Sequence, residues 1–237
     1  MAETVALIHR VLASGSSFPS VVETGAGRLY VLKLSGAGPG RRALATEYLA
    51  LKIARNLGLA VPDARVIDLP RNFPWQTGTD EFYEAVQRSA GPNLGVAFIA
   101  DARDLKAPDL AELPASFIQR LAAVDALLQN VDRTAANPNI LRDATGTHWG
   151  IDFGACLLFD RLARGALEPR RDLPANHFLA GEGRFANAAS SVLEAIDKTD
   201  LQAIIADLPD AWLDDLGLAH AVLQHRLTAY LEALRAT

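Results

Sequence analysis

The chain is short of the features that would tie it to an oxidising compartment, a membrane or a polyanion. It has one cysteine, Cys156, in 237 residues, so no intrachain disulfide can form, which fits a reducing compartment. No stretch approaches the roughly 20 apolar residues of a membrane-spanning helix. The opening MAETVALIHRVLASG has no basic start followed by a long apolar core, so no signal peptide is expected. Basic residues are not in excess: 23 Lys and Arg stand against 28 Asp and Glu, a net charge of −5. That gives no general electrostatic reason to bind nucleic acid. The local clusters Arg41-Arg42 and Arg170-Arg171 read as solvated faces or loops. No repeat or low-complexity segment stands out. The five histidines form no metal-binding cluster, His148 and His177 being isolated in sequence, and no Ser-His-Asp or Cys-His arrangement is legible. These absences predict a soluble cytoplasmic protein with neither a membrane nor a nucleic acid as partner.

Half of the residues are hydrophobic, enough for a substantial core. The length suits one large domain or two small lobes sharing a cleft. Residues 1–34 read as strands: VALIHRVL, then a hairpin of VVET and RLYVLKL around the turn GAG. A helix is expected over 41–57, closed by Gly58 with Pro62 beyond. ARVIDL is a further strand candidate, 80–89 a short helix, and VAFI at 96–99 a short strand. Pro108 and Pro114 flank a polar link, followed by a helix over 114–130. NIL and HWGID around ATGT suggest a small hairpin. An irregular stretch runs from 160 to about 187, with helices near 188–207 and 217–235. Strands come first and helices later, which predicts an α+β fold with two lobes.

The stretch Asn130 to Gly154 carries the chemistry. It places three metal-capable side chains, Asp132, Asn137 and Asp152, near two apolar runs. A phosphotransferase needs one carboxylate near the acceptor hydroxyl, and an amide and a carboxylate on Mg²⁺. A bare DFG arises by chance. Asp-x₄-Asn followed by an apolar strand and DFG is more specific, because its order and distances suit two ligands for one metal. Asp132 read alone is a turn aspartate, and Asn139 after Pro138 is a candidate structural residue. Arg133 either orients the loop, by pairing with a carbonyl or a carboxylate, or lies on the surface. Gly154 permits a close turn after the metal ligand. Cys156 and Trp212 read as packing.

Lys33 lies in the apolar run LYVLKL, where a strand lysine usually faces solvent. Glu47 changes that balance. Its three- and four-residue neighbours on the helix are Ala43, Leu44, Ala50 and Leu51, so it has no basic partner there. A carboxylate in an apolar arc wants a cation from elsewhere, and Lys33 is the candidate. The phosphate-holding loop is best sought in Ser14 to Ser20, with GAGPG at 36–40 as its rival.

With VLK, the glutamate-bearing helix ending GLAVP, SAGPNLGVAFI, NVDRTAANPNIL and IDFG in view, the chain resembles the HipA-like kinases, over roughly residues 14 to 155. The resemblance implies a two-lobed, protein-kinase-like fold as a single domain over 1–237, with an N-lobe to about 103 and a C-lobe from about 104. It implies an ATP- and Mg²⁺-dependent transfer of the γ-phosphoryl group to serine or threonine of a protein acceptor. Lys33 would contact the nucleotide phosphates, held by Glu47; Asp132 would be the catalytic base; Asn137 and Asp152 would bind Mg²⁺. Val96 to Asp101 would form the hinge, with Phe98 and Ile99 at adenine. Ser16 and Ser17 would lie in the phosphate loop and be candidates for autophosphorylation. Full-length HipA toxins carry an additional N-terminal lobe of roughly 100 residues that the resemblance, over roughly 14 to 155, does not lead one to expect here, and usually have histidine where this chain has Thr134. The DRxxxN and IDFG pairing is also similar to the phosphatidylinositol 3- and 4-kinases, which leaves a lipid or small-molecule acceptor as an alternative. A pseudokinase and an AMP-transferring enzyme are further alternatives.

Overall fold

The computed structural model describes residues 3–12, 17–74, 78–214 and 217–237. Five strands close into a barrel: β1 (Glu3–Val11), β2 (Ser20–Thr24), β3 (Leu29–Lys33), β4 (Ala64–Leu69) and β5 (Gly91–Ala97), in the order β1-β2-β3-β5-β4. All neighbours are antiparallel except β4 and β1, whose parallel pairing closes the ring. The β2–β3 turn is the expected hairpin, with Gly27 at φ 73° supplying the left-handed residue and its amide bonded to the Thr24 carbonyl at 2.8 Å. Helix α1 (Arg41–Asn56) connects β3 to β4 and ends where Gly58 turns left-handed. Helix α2 (Asp80–Arg88) connects β4 to β5; Thr79 caps it by accepting from the Phe82 amide, and Asp80 and Glu81 favour its first turn.

The strand expected over 96–99 starts earlier: β5 runs from Gly91 to Ala97, so only Val96 and Ala97 of the expected run lie in it and Phe98 and Ile99 follow it. Gly91, Pro92 and Asn93 disguised its start. Pro92 pairs with β4 alone, past the end of β3, where its missing N–H costs little. Asn93 is fully buried but satisfied, accepting from the Ser35 amide at 2.7 Å and donating to the Ser89 and Gly91 carbonyls at 2.8 Å.

A second sheet joins β6 (Arg103–Asp104), β7 (Ile140–Arg142) and β8 (His148–Gly150). Asp143 builds the β7–β8 turn, accepting from the Thr145 hydroxyl at 2.6 Å, the Trp149 indole and the Thr147 and Thr145 amides. Those donors hold its pKa down at about 2. Helix α3 (Ala115–Leu128) is buried throughout from Leu121 to its end, its first turns being partly exposed. The remaining helices are α4 (Phe159–Ala163), α5 (Leu193–Ile196), α6 (Leu201–Ala206), α7 (Asp210–Leu213) and α8 (His220–Ala236). The helical stretch near 188–207 is thus broken: a 3₁₀ turn over Ala188–Val192 leads into α5, and Asp200 restarts the chain as the cap of α6.

Two cores result. One fills the barrel, with Val22, Tyr30, Leu32, Leu34 and Ile67 packed against Phe82 of α2. The other begins on the outer face of the barrel at Ala64, Leu94 and Val96 and continues through α1 and α3 to α8. Among the described residues, no helix is long and apolar enough to cross a membrane.

Candidate active site

Lys33 closes β3 in register with Leu94 of β5. Leu32 and Leu34 point into the barrel, so Lys33 points out of it, toward the core that contains Leu94 and α1. There its Nζ lies 2.7 and 2.6 Å from the two carboxylate oxygens of Glu47 and 2.8 Å from Asp152 Oδ1. The lysine is therefore turned inward rather than to solvent. Its side chain is 15% exposed and that of Glu47 is 3% exposed. Burial alone would lower the Lys33 pKa, but the Glu47 and Asp152 charges outweigh it and hold the ammonium above its ordinary value. Burial pushes Glu47 up to about 6 against the attraction of Lys33. Burial would also raise Asp152, but Lys33 outweighs it and keeps this carboxyl below its ordinary range.

Asp152 sits at φ 56°, a left-handed conformation that costs a non-glycine residue energy. The unusual backbone thus falls on the aspartate itself and on Leu157 and Leu158, not on Gly154. A Cβ at Gly154 would make only ordinary contacts, the nearest at 3.7 Å to Glu47 Oε2. Gly154 does stand in the expected turn, which the Cys156 amide closes on the Phe153 carbonyl at 3.1 Å, but its conformation there is open to other residues.

The loop after α3 presents Asp132 and Asn137 together. Gln129 turns left-handed at φ 48° and ends the helix. The Asp132 amide donates to Asn130 Oδ1 at 3.3 Å, an Asx-type turn. Asn137 Nδ2 donates to Asp132 Oδ2 at 2.9 Å, and Asn139 Nδ2 approaches the same oxygen at 3.5 Å. Thr134 pins the loop across its width, exchanging backbone hydrogen bonds of 3.2 Å with Asn137. Partial burial and then the charge of Asp152 raise the Asp132 pKa.

Arg133 resolves to the orienting role. It is fully buried, donates from Nε to Asp125 at 2.5 Å and from Nη1 to the Pro138 and Asn139 carbonyls at 2.8 Å, and lies over the Phe153 ring at 4.8 Å. It thereby ties the Asp132 loop to the IDFG segment. Asp125, fully buried on α3, also accepts from Asn130 Nδ2 at 3.0 Å and from His177 Nε2 at 3.0 Å. The Leu179 amide donates to His177 Nδ1 at 3.1 Å, which leaves the ring proton on Nε2. The flanking residues complete a clamp: Asn176 Nδ2 donates to the Val131 carbonyl, and the Phe178 amide to the Arg133 carbonyl at 3.2 Å.

Asp125 and His177 were missed as site-building residues. A carboxylate inside the apolar helix LAAVDALL was a readable signal of the same kind as Glu47. His177 carried no signal, because 52 positions separate it from its partner.

Of the two candidate phosphate loops, Ser16 lies outside the described residues. Ser17 is half-buried and its carbonyl accepts from the Leu34 amide at 3.3 Å. In the rival loop, the amides of Gly36, Ala37 and Gly40 are all hydrogen-bonded within the chain. Phe98 is bonded through its amide to the Leu29 carbonyl at 3.1 Å, and with Ile99 it is half-buried just past β5.

Among the described residues, no three His, Cys, Asp or Glu side chains form a metal-binding group. Mg²⁺ held mainly by nucleotide phosphates needs only one or two protein oxygens, and an amide with a carboxylate, as at Asn137 and Asp152, fits that requirement.

No curated protein matches the chain. Among solved structures, the chain is similar to the crystal structure of a Helicobacter pylori proinflammatory kinase, CtkA. The TM-score is 0.60 at 13% identity, covering 100% of this chain and 97% of that one. The family model for HipA-like kinases matches residues 5–163, more than half of the sequence. With that match, the chain belongs to the HipA-like kinase family.

Proposed function

We propose that this protein is an ATP- and Mg²⁺-dependent kinase that phosphorylates a serine or threonine hydroxyl of a protein acceptor. It would act as a single two-lobed domain, the barrel side ending near residue 103 and the helical side following. The observation that carries the reading is Lys33 Nζ bridging Glu47 at 2.6 Å and Asp152 at 2.8 Å, three residues from three separate segments. A cation held between a buried carboxylate and a half-exposed one is preorganised to receive phosphate oxygens without moving.

In this reading Glu47 fixes the ammonium, which contacts the nucleotide phosphates. Asn137 and Asp152 hold Mg²⁺, which neutralises phosphate charge when bound. Asp132 aligns the acceptor hydroxyl and takes its proton. The hydroxyl oxygen forms a bond to the γ-phosphorus as the bond from that phosphorus to the bridging oxygen of ADP breaks. Residues 96–101 would meet adenine, and the Ser14–Ser20 segment, of which 14–16 lie outside the described residues, would be the phosphate loop. Most of the acceleration comes from positioning and charge neutralisation.

Intact-mass measurement after incubation with Mg-ATP, with ADP release followed in parallel, tests this. A phosphoryl-sized gain on the protein or on an added acceptor, with ADP, is expected in wild type and absent in Asp132→Asn. An adenylyl-sized gain overturns the reaction class. ATP binding without transfer to any of a broad set of acceptors overturns the enzyme assignment.

A further inference from the structure

Two hollows beside the Asp132 loop run into each other. One, of about 400 Å³, lies between the start of α1 and residues 154–164. The other, of about 630 Å³, lies between Gln129 and residues 168–176. They share Val131, Leu158 and Arg161, so they form one groove, and Val131 is the residue immediately before Asp132. Gly154 lines the same groove, two residues after Asp152.

The groove is basic in an acidic protein. Five arginines and three carboxylates line it, a net +2, while the chain as a whole carries −5. Arg42 is engaged by Asp160 at 2.7 Å, and Arg170 by Glu168 at 3.1 Å. Among the described residues, Arg171 donates to the Leu234 and Arg235 carbonyls and to no carboxylate, which leaves its charge unneutralised. Arg161 and Arg164 are exposed and make no ion pair among the described residues. Each projects from α4 or the residue after it, on a short helix anchored by buried Phe159 and Leu162.

We propose that this groove docks the protein acceptor through an acidic stretch next to the hydroxyl to be phosphorylated, with Arg161 and Arg164 as its main contacts. The inference rests on the phosphotransfer reading above and adds the acceptor's chemistry to it. Unpaired arginines supply planar forks that match carboxylates, and their position beside Val131 carries a bound peptide toward Asp132. A nucleic acid fits less well. A net +2 is small for a polyanion, and the one aromatic residue in the lining, Phe159, is buried and offers no stacking face.

Two fluorescein-labelled serine peptides of equal length serve as probes, one flanked by Asp and Glu, the other by Gln and Gly. Binding is read by anisotropy and transfer by phosphate incorporation from Mg-ATP. Wild type is expected to bind the acidic peptide about tenfold more tightly, with the preference fading as salt rises. Arg161→Gln and Arg164→Gln should each weaken it by about three- to fivefold, and the double variant should lose the preference while ATP affinity and thermal midpoint stay unchanged. Equal binding of the two peptides, no measurable binding of the acidic one, or a preference that survives in the double variant overturns the proposal. So does tighter binding of a single-stranded oligonucleotide at the same salt. Charge-selective binding without transfer from ATP to either peptide or to the broader acceptor set keeps the groove and sinks the kinase reading; transfer indifferent to peptide charge does the reverse.

Discussion

At the scale of the residue, two carboxylates behave oppositely because their neighbours differ. Asp132 is partly buried and feels the charge of Asp152, so it is raised, while Asp125 is buried against Arg133 and His177 and is lowered against the effect of its burial. Asp132→Asn keeps the size and the hydrogen bond to Asn137 but cannot take a proton. Turnover should fall by about 10²–10⁴, with nucleotide affinity retained by calorimetry. Asp125 sets a pH dependence of stability. Its folded pKa lies below the unfolded value of about 3.9, so its contribution is fully present above that value and is lost as pH falls through the folded pKa. Asp125→Asn should cost about 3–5 kcal/mol at neutral pH, because it strands the buried guanidinium. The deficit relative to wild type should narrow below about pH 4. Urea unfolding across pH 3–7 measures both, and a deficit that stays constant would show that the Asp125 charge is not what matters.

At the scale of the element, the segment 176–178 does for the Asp132 loop what a cap does for a helix. Three successive residues satisfy the Val131 carbonyl, the Asp125 carboxylate and the Arg133 carbonyl. The family match ends at residue 163, so this support comes from beyond it. His177→Phe keeps the ring volume and removes both hydrogen bonds. It should lower kcat by on the order of 10²-fold, the cost of misplacing a reactive group by about 1 Å, with KM for ATP little changed. His177→Gln offers an amide donor and a carbonyl acceptor at similar reach and should recover much of the loss. Equal activity of the two variants would reduce the histidine to packing. The segment was illegible in the sequence: its helices and strands are absent, and hydrogen bonds to distant loops leave no periodicity.

At the scale of the whole molecule, the barrel and the last third of the chain are joined by Trp212. It is fully buried, donates from its indole to the Pro92 carbonyl at 3.0 Å and meets Tyr48 edge-on at 6.3 Å between ring centres. β5, α1 and α7 therefore meet at one side chain. Trp212→Ala should destabilise the protein by about 3–5 kcal/mol, read from the denaturant midpoint. If those elements are energetically coupled through it, the transitions followed by circular dichroism and by fluorescence of the remaining tryptophans should separate. Coincident transitions would instead make the loss a simple cavity cost.

The sequence by itself determined the local chemistry: α1 with its solitary buried glutamate, the hairpin that ends in Lys33, and a loop in which five positions bring Asn137 onto Asp132. These are short-range outcomes, fixed by helical and strand periodicity and by how far a small loop can reach. The tertiary structure alone decided that Lys33 meets Asp152 across 119 positions, that Arg133 turns inward, and that His177 closes on Asp125. Such meetings depend on how the barrel packs on the helices, and the burial that drives this packing has no direction of its own. The same packing hid the start of β5, where a buried Asn93 and a one-sided Pro92 imitate a loop until their partners are in place.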